Sequence, residues 1–129
     1  MRHLPDIDHR VIPHTDQYYD TAGNYWGDGS DWKMRVSKME DWRYEALLTL
    51  HEFIEMCLTT HHNILWDDIT YFDRNEGKDS DDPGCMPEAP YHNEHMLAMQ
   101  LEKKFAKMLG VDWKKYDSSF AELKWRDKL

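Results

Sequence analysis

The stretch that most limits what this chain can fold into is LLTLHEFIEMCL, from Leu47 to Leu58. Apolar residues recur at Tyr44, Leu47, Leu50, Ile54, Cys57 and Leu58, the i, i+3, i+4, i+7 spacing of a core-facing helix stripe. His51 and Glu55 fall on that stripe one turn apart, and Glu52 sits on its shoulder. Burying an imidazole and a carboxylate costs several kcal/mol unless they are paired or bound to a metal. The helix therefore has to meet polar partners inside the fold.

Tyr91-His92-Asn93-Glu94-His95 can supply them. Pro90 suits the first turn of a helix, where a missing N–H costs nothing, and Gly110 suits its C-terminal cap. Between them Ala98, Leu101, Phe105, Met108 and Leu109 form a second apolar stripe. Projected backwards, that stripe lands on Glu94 and His95, with Glu102 further along the same side. Two helices thus each turn a His/Glu cluster towards the core.

The rest of the chain reads as support. The first long helix spans Lys38 to His62, opened by the capping box Ser37-Lys38-Met39-Glu40 and closed by Asn63 as a left-handed stop. A short helical piece follows from Asp67 to Asp73, and a last one from Trp113 to Trp125. Trp32, Met34 and Val36 alternate with Lys33, Arg35 and Ser37, the period of a strand with one wet face. Gly27-Asp28-Gly29-Ser30 is a turn signal, so residues 17–37 read as a small β-hairpin with an exposed edge able to take a peptide. Residues 1–16 read as an extended arm whose His3, His9 and His14 are solvated, and 74–90 as a mobile acidic loop. The fold class is mainly α within α+β. Two long antiparallel helices and a C-terminal helix form one domain of 129 residues, capped by the hairpin.

Charge and composition narrow the partners. A net charge of −9 argues against a nucleic-acid backbone or an anionic membrane. No apolar run approaches the roughly 18 residues of a bilayer span, and MRHLPDIDHR has no apolar stretch of the kind a secretory leader carries. Cys57 and Cys85 read as free thiols of a reducing compartment. A small molecule or a peptide is the substrate class left open, and the oligomeric state is not specified.

A divalent metal, zinc foremost, compensates several buried carboxylates and imidazoles at once. His51 and Glu55 can share one ion, as the two histidines of an HExxH helix do, with His92 or His95 as third ligand. Three protein ligands leave a position for water, and Glu52 is placed as its general base. Asp73, Glu94 and Glu102 are further polar partners. His61 and His62 suit the dipole at a helix end. Without an ion, the same residues form a hydrogen-bonded network that fixes two helices in register, the arrangement of a non-enzymatic interaction protein.

The segments HEFIE (His51 to Glu55), TYFD (Thr70 to Asp73), APYHNEHMLA (Ala89 to Ala98) and LGVDW (Leu109 to Trp113) resemble a group of small uncharacterised proteins of bacteriophages and prophages, over about Gly23 to Trp113. The resemblance implies a phage origin and hence the cytoplasm of a bacterial host. A strand at Trp32 to Val36 feeding an HExx helix is similar, more distantly, to the zincin metallopeptidases, which implies a zinc-dependent hydrolase. This chain departs from them in having Glu55 where they have histidine, and in its H-x-E-H segment. Glu52-x-x-Glu55 is also similar to the all-α nucleotide pyrophosphohydrolases that hold magnesium, although no E-x-x-D follows on the second long helix.

Overall fold

A computed structural model describes residues 3–28 and 30–128, with the side chains of 28 and 128 left aside. The order is β1 (Asp6–Ile12), a 3-10 turn (His14–Asp16), β2 (Gly23–Asp28), β3 (Asp31–Ser37), α1 (Trp42–His61) and α2 (Trp66–Arg74). A second 3-10 turn (Pro83–Cys85), α3 (His92–Met108), α4 (Trp113–Ser119) and two further 3-10 turns (Phe120–Glu122, Arg126–Lys128) complete it. The class is α+β, with four α-helices and one small mixed sheet. Among the described residues no helix is long and apolar enough to cross a membrane.

The sheet corrects two expectations. Its order is β1-β3-β2, with β3 paired parallel to β1 and antiparallel to β2. The segment read as an extended arm therefore contributes a strand, and the edge of β3 read as exposed is covered by it. Asp8 explains why a strand with so polar a sequence pairs here: it receives Arg35 at 3.3 Å and Lys33 at 3.5 Å on the outer face. His14 is buried, not solvated; its Nδ1 lies 2.8 Å from Ser37 Oγ and its Nε2 2.8 Å from Asp20. His9 is exposed and reaches Thr49 on α1, and His3 is exposed. The turn signal at 27–30 contains Gly29, which lies outside the described residues.

Trp32, Met34 and Val36 face inward as the strand alternation requires, and Met34 and Val36 pack with Leu48 of α1. A second cluster joins Tyr25 and Trp32 to Met56, Ile69, Phe72 and Tyr91, and a third joins Tyr44 and Leu47 to Ala106 and Tyr116. Leu47 is wholly buried, so its truncation to alanine costs about 2–5 kcal/mol.

The cap of α1 is Asp41, whose carboxylate accepts from Arg43 N at 2.9 Å, and not the expected Ser37 box. Ser37 is unavailable, because its hydroxyl is already spent on His14 and Gln17. Asn63 ends the helix with φ 58°, and Gly110 follows α3 with φ 69°. The C-terminal helix is shorter than expected and tightens into a 3-10 turn at Phe120.

Partners across α1 and α3 run in opposite order along the two helices. Arg43 reaches the Leu109 carbonyl, His51 meets Glu102, Glu55 meets His95, and His62 meets Glu94. That pairing carries the polar stripe of one helix onto that of the other.

Candidate metal centre

Three ligand atoms converge between α1 and α3. His51 Nε2 lies 2.9 Å from Glu55 Oε2, His95 Nδ1 lies 2.9 Å from the same oxygen, and the two nitrogens are 3.1 Å apart. All three residues are buried. Two donors bonded to one ion at about 2.1 Å lie about 3.0 Å apart at a right angle and about 3.4 Å apart at the tetrahedral angle. The triangle matches the right-angle spacing and is a few tenths of an ångström tighter than the tetrahedral one, so these three residues could hold a divalent ion.

What surrounds the triangle decides which atoms face it. His51 Nδ1 is 2.7 Å from Glu102 Oε1, and Tyr116 donates to Glu102 Oε2 at 2.5 Å. His95 Nε2 is 3.0 Å from Asp82 Oδ1. Tyr25 donates to Glu55 Oε1 at 2.9 Å. A carboxylate on the far nitrogen of each histidine draws the ring N–H outward and leaves the near nitrogen as a lone pair, the arrangement found behind metal-bound histidines. Two ring lone pairs and a carboxylate oxygen this close repel one another unless positive charge, from protons or from a cation, lies among them.

Protons supply that charge when no metal does. Burial alone would lower His51, but its hydrogen bonds to Glu102 and Glu55 hold it well above its usual range. For His95 burial is likewise outweighed, by Asp82 and Glu55, and the ring is pushed up to about 9. Burial would raise Glu55, yet the two histidines bring it down to about 2. Glu52 goes the other way: burial and the nearby Glu55 charge raise it to about 8.

Glu52 is 7% exposed and makes no hydrogen bond to the described residues. Its side chain lies against Gly23 of β2, where an added Cβ would clash with the carboxylate. The His95 ring lies against Gly84 in the same way. Both glycines are close-approach positions, where only the absence of a side chain lets a backbone meet the cluster.

The other expected residues lie apart from the triangle. His92 is half-buried and turns Nδ1 to the Gly84 carbonyl at 3.0 Å, so of the two histidines of the second stretch only His95 joins. Glu94 pairs with His62 at 2.6 Å. Asp73 accepts from Tyr19 at 2.7 Å and Tyr91 at 2.6 Å, and burial raises it to about 6. Asp82, Tyr25, Tyr116, Gly23 and Gly84 border the cluster without being among the site residues expected from the sequence. Asp82 stands in a segment expected to be mobile, but the turn Pro83–Cys85 packs it on α3.

Two cavities, of about 460 and 570 Å³, are lined by Tyr18 and Trp66 with other residues, and none of the cluster side chains borders either. Atoms of Asp82, Cys85 and the buried His95 form a further group able to hold an ion. Burial and the Asp82 carboxylate push the Cys85 thiol up to about 12, so it carries its proton unless a cation replaces it. Compared with known proteins, the chain matches no family model, no curated protein and no solved structure.

Proposed function

We propose that the protein is a metal-dependent hydrolase of zincin-like chemistry, with one divalent ion, zinc foremost, held by His51, Glu55 and His95. The observation that carries this reading is the triangle of 2.9, 2.9 and 3.1 Å, with Glu102 and Asp82 behind the two histidines. Three protein ligands leave room for water, and zinc lowers the pKa of such a water to about 7. Glu52, next to His51 in the chain and without a hydrogen bond among the described residues, would be the general base for it. A nearby cation would draw its carboxyl down from about 8 and favour the basic form. The ligands are 4–8% exposed, which fits a small substrate better than a peptide chain. A phage protein acting in its host's cytoplasm is the setting in which we read it.

A specific observation favours a second, non-enzymatic reading. Every triangle atom already has a hydrogen-bonding partner, so protonated histidines can tie α1 to α3 with no ion. A magnesium pyrophosphohydrolase is less well supported, because Glu102 is committed to His51 and Tyr116.

Zinc competition against a chromophoric chelator separates these readings. In Cys85→Ser protein, which lacks the thiol of the neighbouring Asp82–Cys85–His95 group, His51→Ala should weaken zinc binding sharply, while Glu52→Gln should keep both zinc and fold and lose about 10²–10⁴-fold in any turnover. Equal loss of zinc in the two variants would make Glu52 a ligand. No zinc binding by the wild type would leave the structural network.

A further inference from the structure

His95 presents a second nitrogen to a second set of ligand atoms. Its Nε2 is 3.0 Å from Asp82 Oδ1, and Cys85 Sγ–H donates to Asp82 Oδ2 at 3.0 Å. One atom from each of Asp82, Cys85 and His95 lies within 4.8 Å of the others. A carboxylate, a thiol and an imidazole brought together from a 3-10 turn and a helix form a mixed set that suits zinc and its soft analogues, not calcium or magnesium. The turn is fixed there: Gly84 between Asp82 and Cys85 lies against the His95 ring and accepts from His92. Solvent access differs between the two sides of the ring. The inner triangle is buried, whereas Cys85 is exposed and the Asp82 side chain is 44% exposed.

We infer that Asp82, Cys85 and the outer nitrogen of His95 form a second, solvent-facing site for a thiophilic divalent cation, and that this site and the buried triangle exclude one another. The exclusion follows from the shared ring. A neutral imidazole has one lone pair, so an ion on Nε2 moves the proton to Nδ1, where it faces Glu55 and blocks the inner position. On binding, the Cys85 thiol proton leaves to solvent, and the Sγ–H to Asp82 hydrogen bond gives way to two bonds to the ion. The outer site gives an ion a place at the surface of a centre whose own ligands are closed to solvent. It does not depend on the hydrolase reading; it shares only His95 with it.

Cobalt(II) is the probe, because a thiolate ligand adds an intense near-ultraviolet charge-transfer band that oxygen and nitrogen ligands do not. The reduced protein is titrated as wild type, as Glu55→Gln, which cripples the triangle with an isostere, and as Glu55→Gln with Cys85→Ser. We expect one cobalt per chain in wild type, a full thiolate band in Glu55→Gln, and loss of that band when Cys85 is also replaced. A full band in wild type, unchanged in Glu55→Gln, would support the outer site and count against the inner one. No thiolate band in Glu55→Gln at saturating cobalt would overturn the outer site, as would a band that survives Cys85→Ser. Two cobalt ions per wild-type chain would overturn the mutual exclusion.

Discussion

Glu102 Oε1 lies 2.7 Å from His51 Nδ1, and this contact decides which nitrogen of His51 faces the cluster. With one N–H spent on Glu102, Nε2 is the nitrogen left for Glu55 and His95, a donor when the ring is protonated and a lone pair for an ion when it is not. Removing the charge behind the ring while keeping its shape should therefore be felt at the centre. Glu102→Gln is expected to weaken zinc binding by about 10–100-fold, measured by chelator competition. An unchanged affinity would mean that Glu102 only ties two helices together.

Gly84→Ala should disturb the fold and the centre together. The new Cβ would clash with the His95 ring, a stiff group held at both nitrogens. A loss of about 1–3 kcal/mol in denaturant unfolding is expected, with weakened metal binding. Gly110→Ala is the control. Nothing lies within 4 Å of its Cβ, but φ 69° is strained for a side chain. It should cost about 1 kcal/mol and leave metal affinity untouched.

Asp73 gives a pH signature of its own. Burial raises its carboxyl from 3.8 to about 6, despite the hydrogen bonds from Tyr91 and Tyr19. The folded state thus holds this proton more tightly than the unfolded chain. Its effect is nil below about pH 4, and stability is lost as pH rises towards 6 and the buried carboxylate ionises. At 1.36 kcal/mol per pKa unit the loss reaches at most about 3 kcal/mol. Urea unfolding of Asp73→Asn should be flatter than wild type between about pH 4 and 6; parallel pH profiles would contradict the assignment.

Sequence and structure agree where periodicity carries the information. His51 and Glu55 share a face because they are one turn apart, and the stripe of α3, extended backwards from Ala98 and Leu101, lands on His95. Residues that act through long-range contact carry no such signal. Asp82 stands in an acidic run whose composition resembles solvated loops, and only the turn at Pro83–Cys85 brings it to His95. β1 carries little signal because His9 interrupts the face that Ile7 and Val11 share opposite Asp6, Asp8 and Arg10, and because it pairs with β3 across an intervening strand and turn. The Ser37 capping box has the right letters, but the hydroxyl was claimed by His14 and Gln17, whose proximity no local pattern reveals.

Metal binding should release protons. At neutral pH a ring with a pKa of about 9 is charged, so an ion must displace its proton. Zinc affinity is expected to rise with pH across the neutral range and level off near pH 9. Calorimetry in buffers of different ionisation enthalpy should show net proton release, and buffer-independent heats would contradict the proposed ligand set.

The central claim is an ion shared by His51, Glu55 and His95. Cys85→Ser protein, prepared without a histidine tag, removes the thiol and isolates that claim. After supply of zinc at neutral pH and gel filtration, elemental analysis should find about one zinc per chain, and adding His51→Ala should remove it. Absence of stoichiometric zinc from the folded Cys85→Ser protein, or its persistence without His51, would contradict the buried centre.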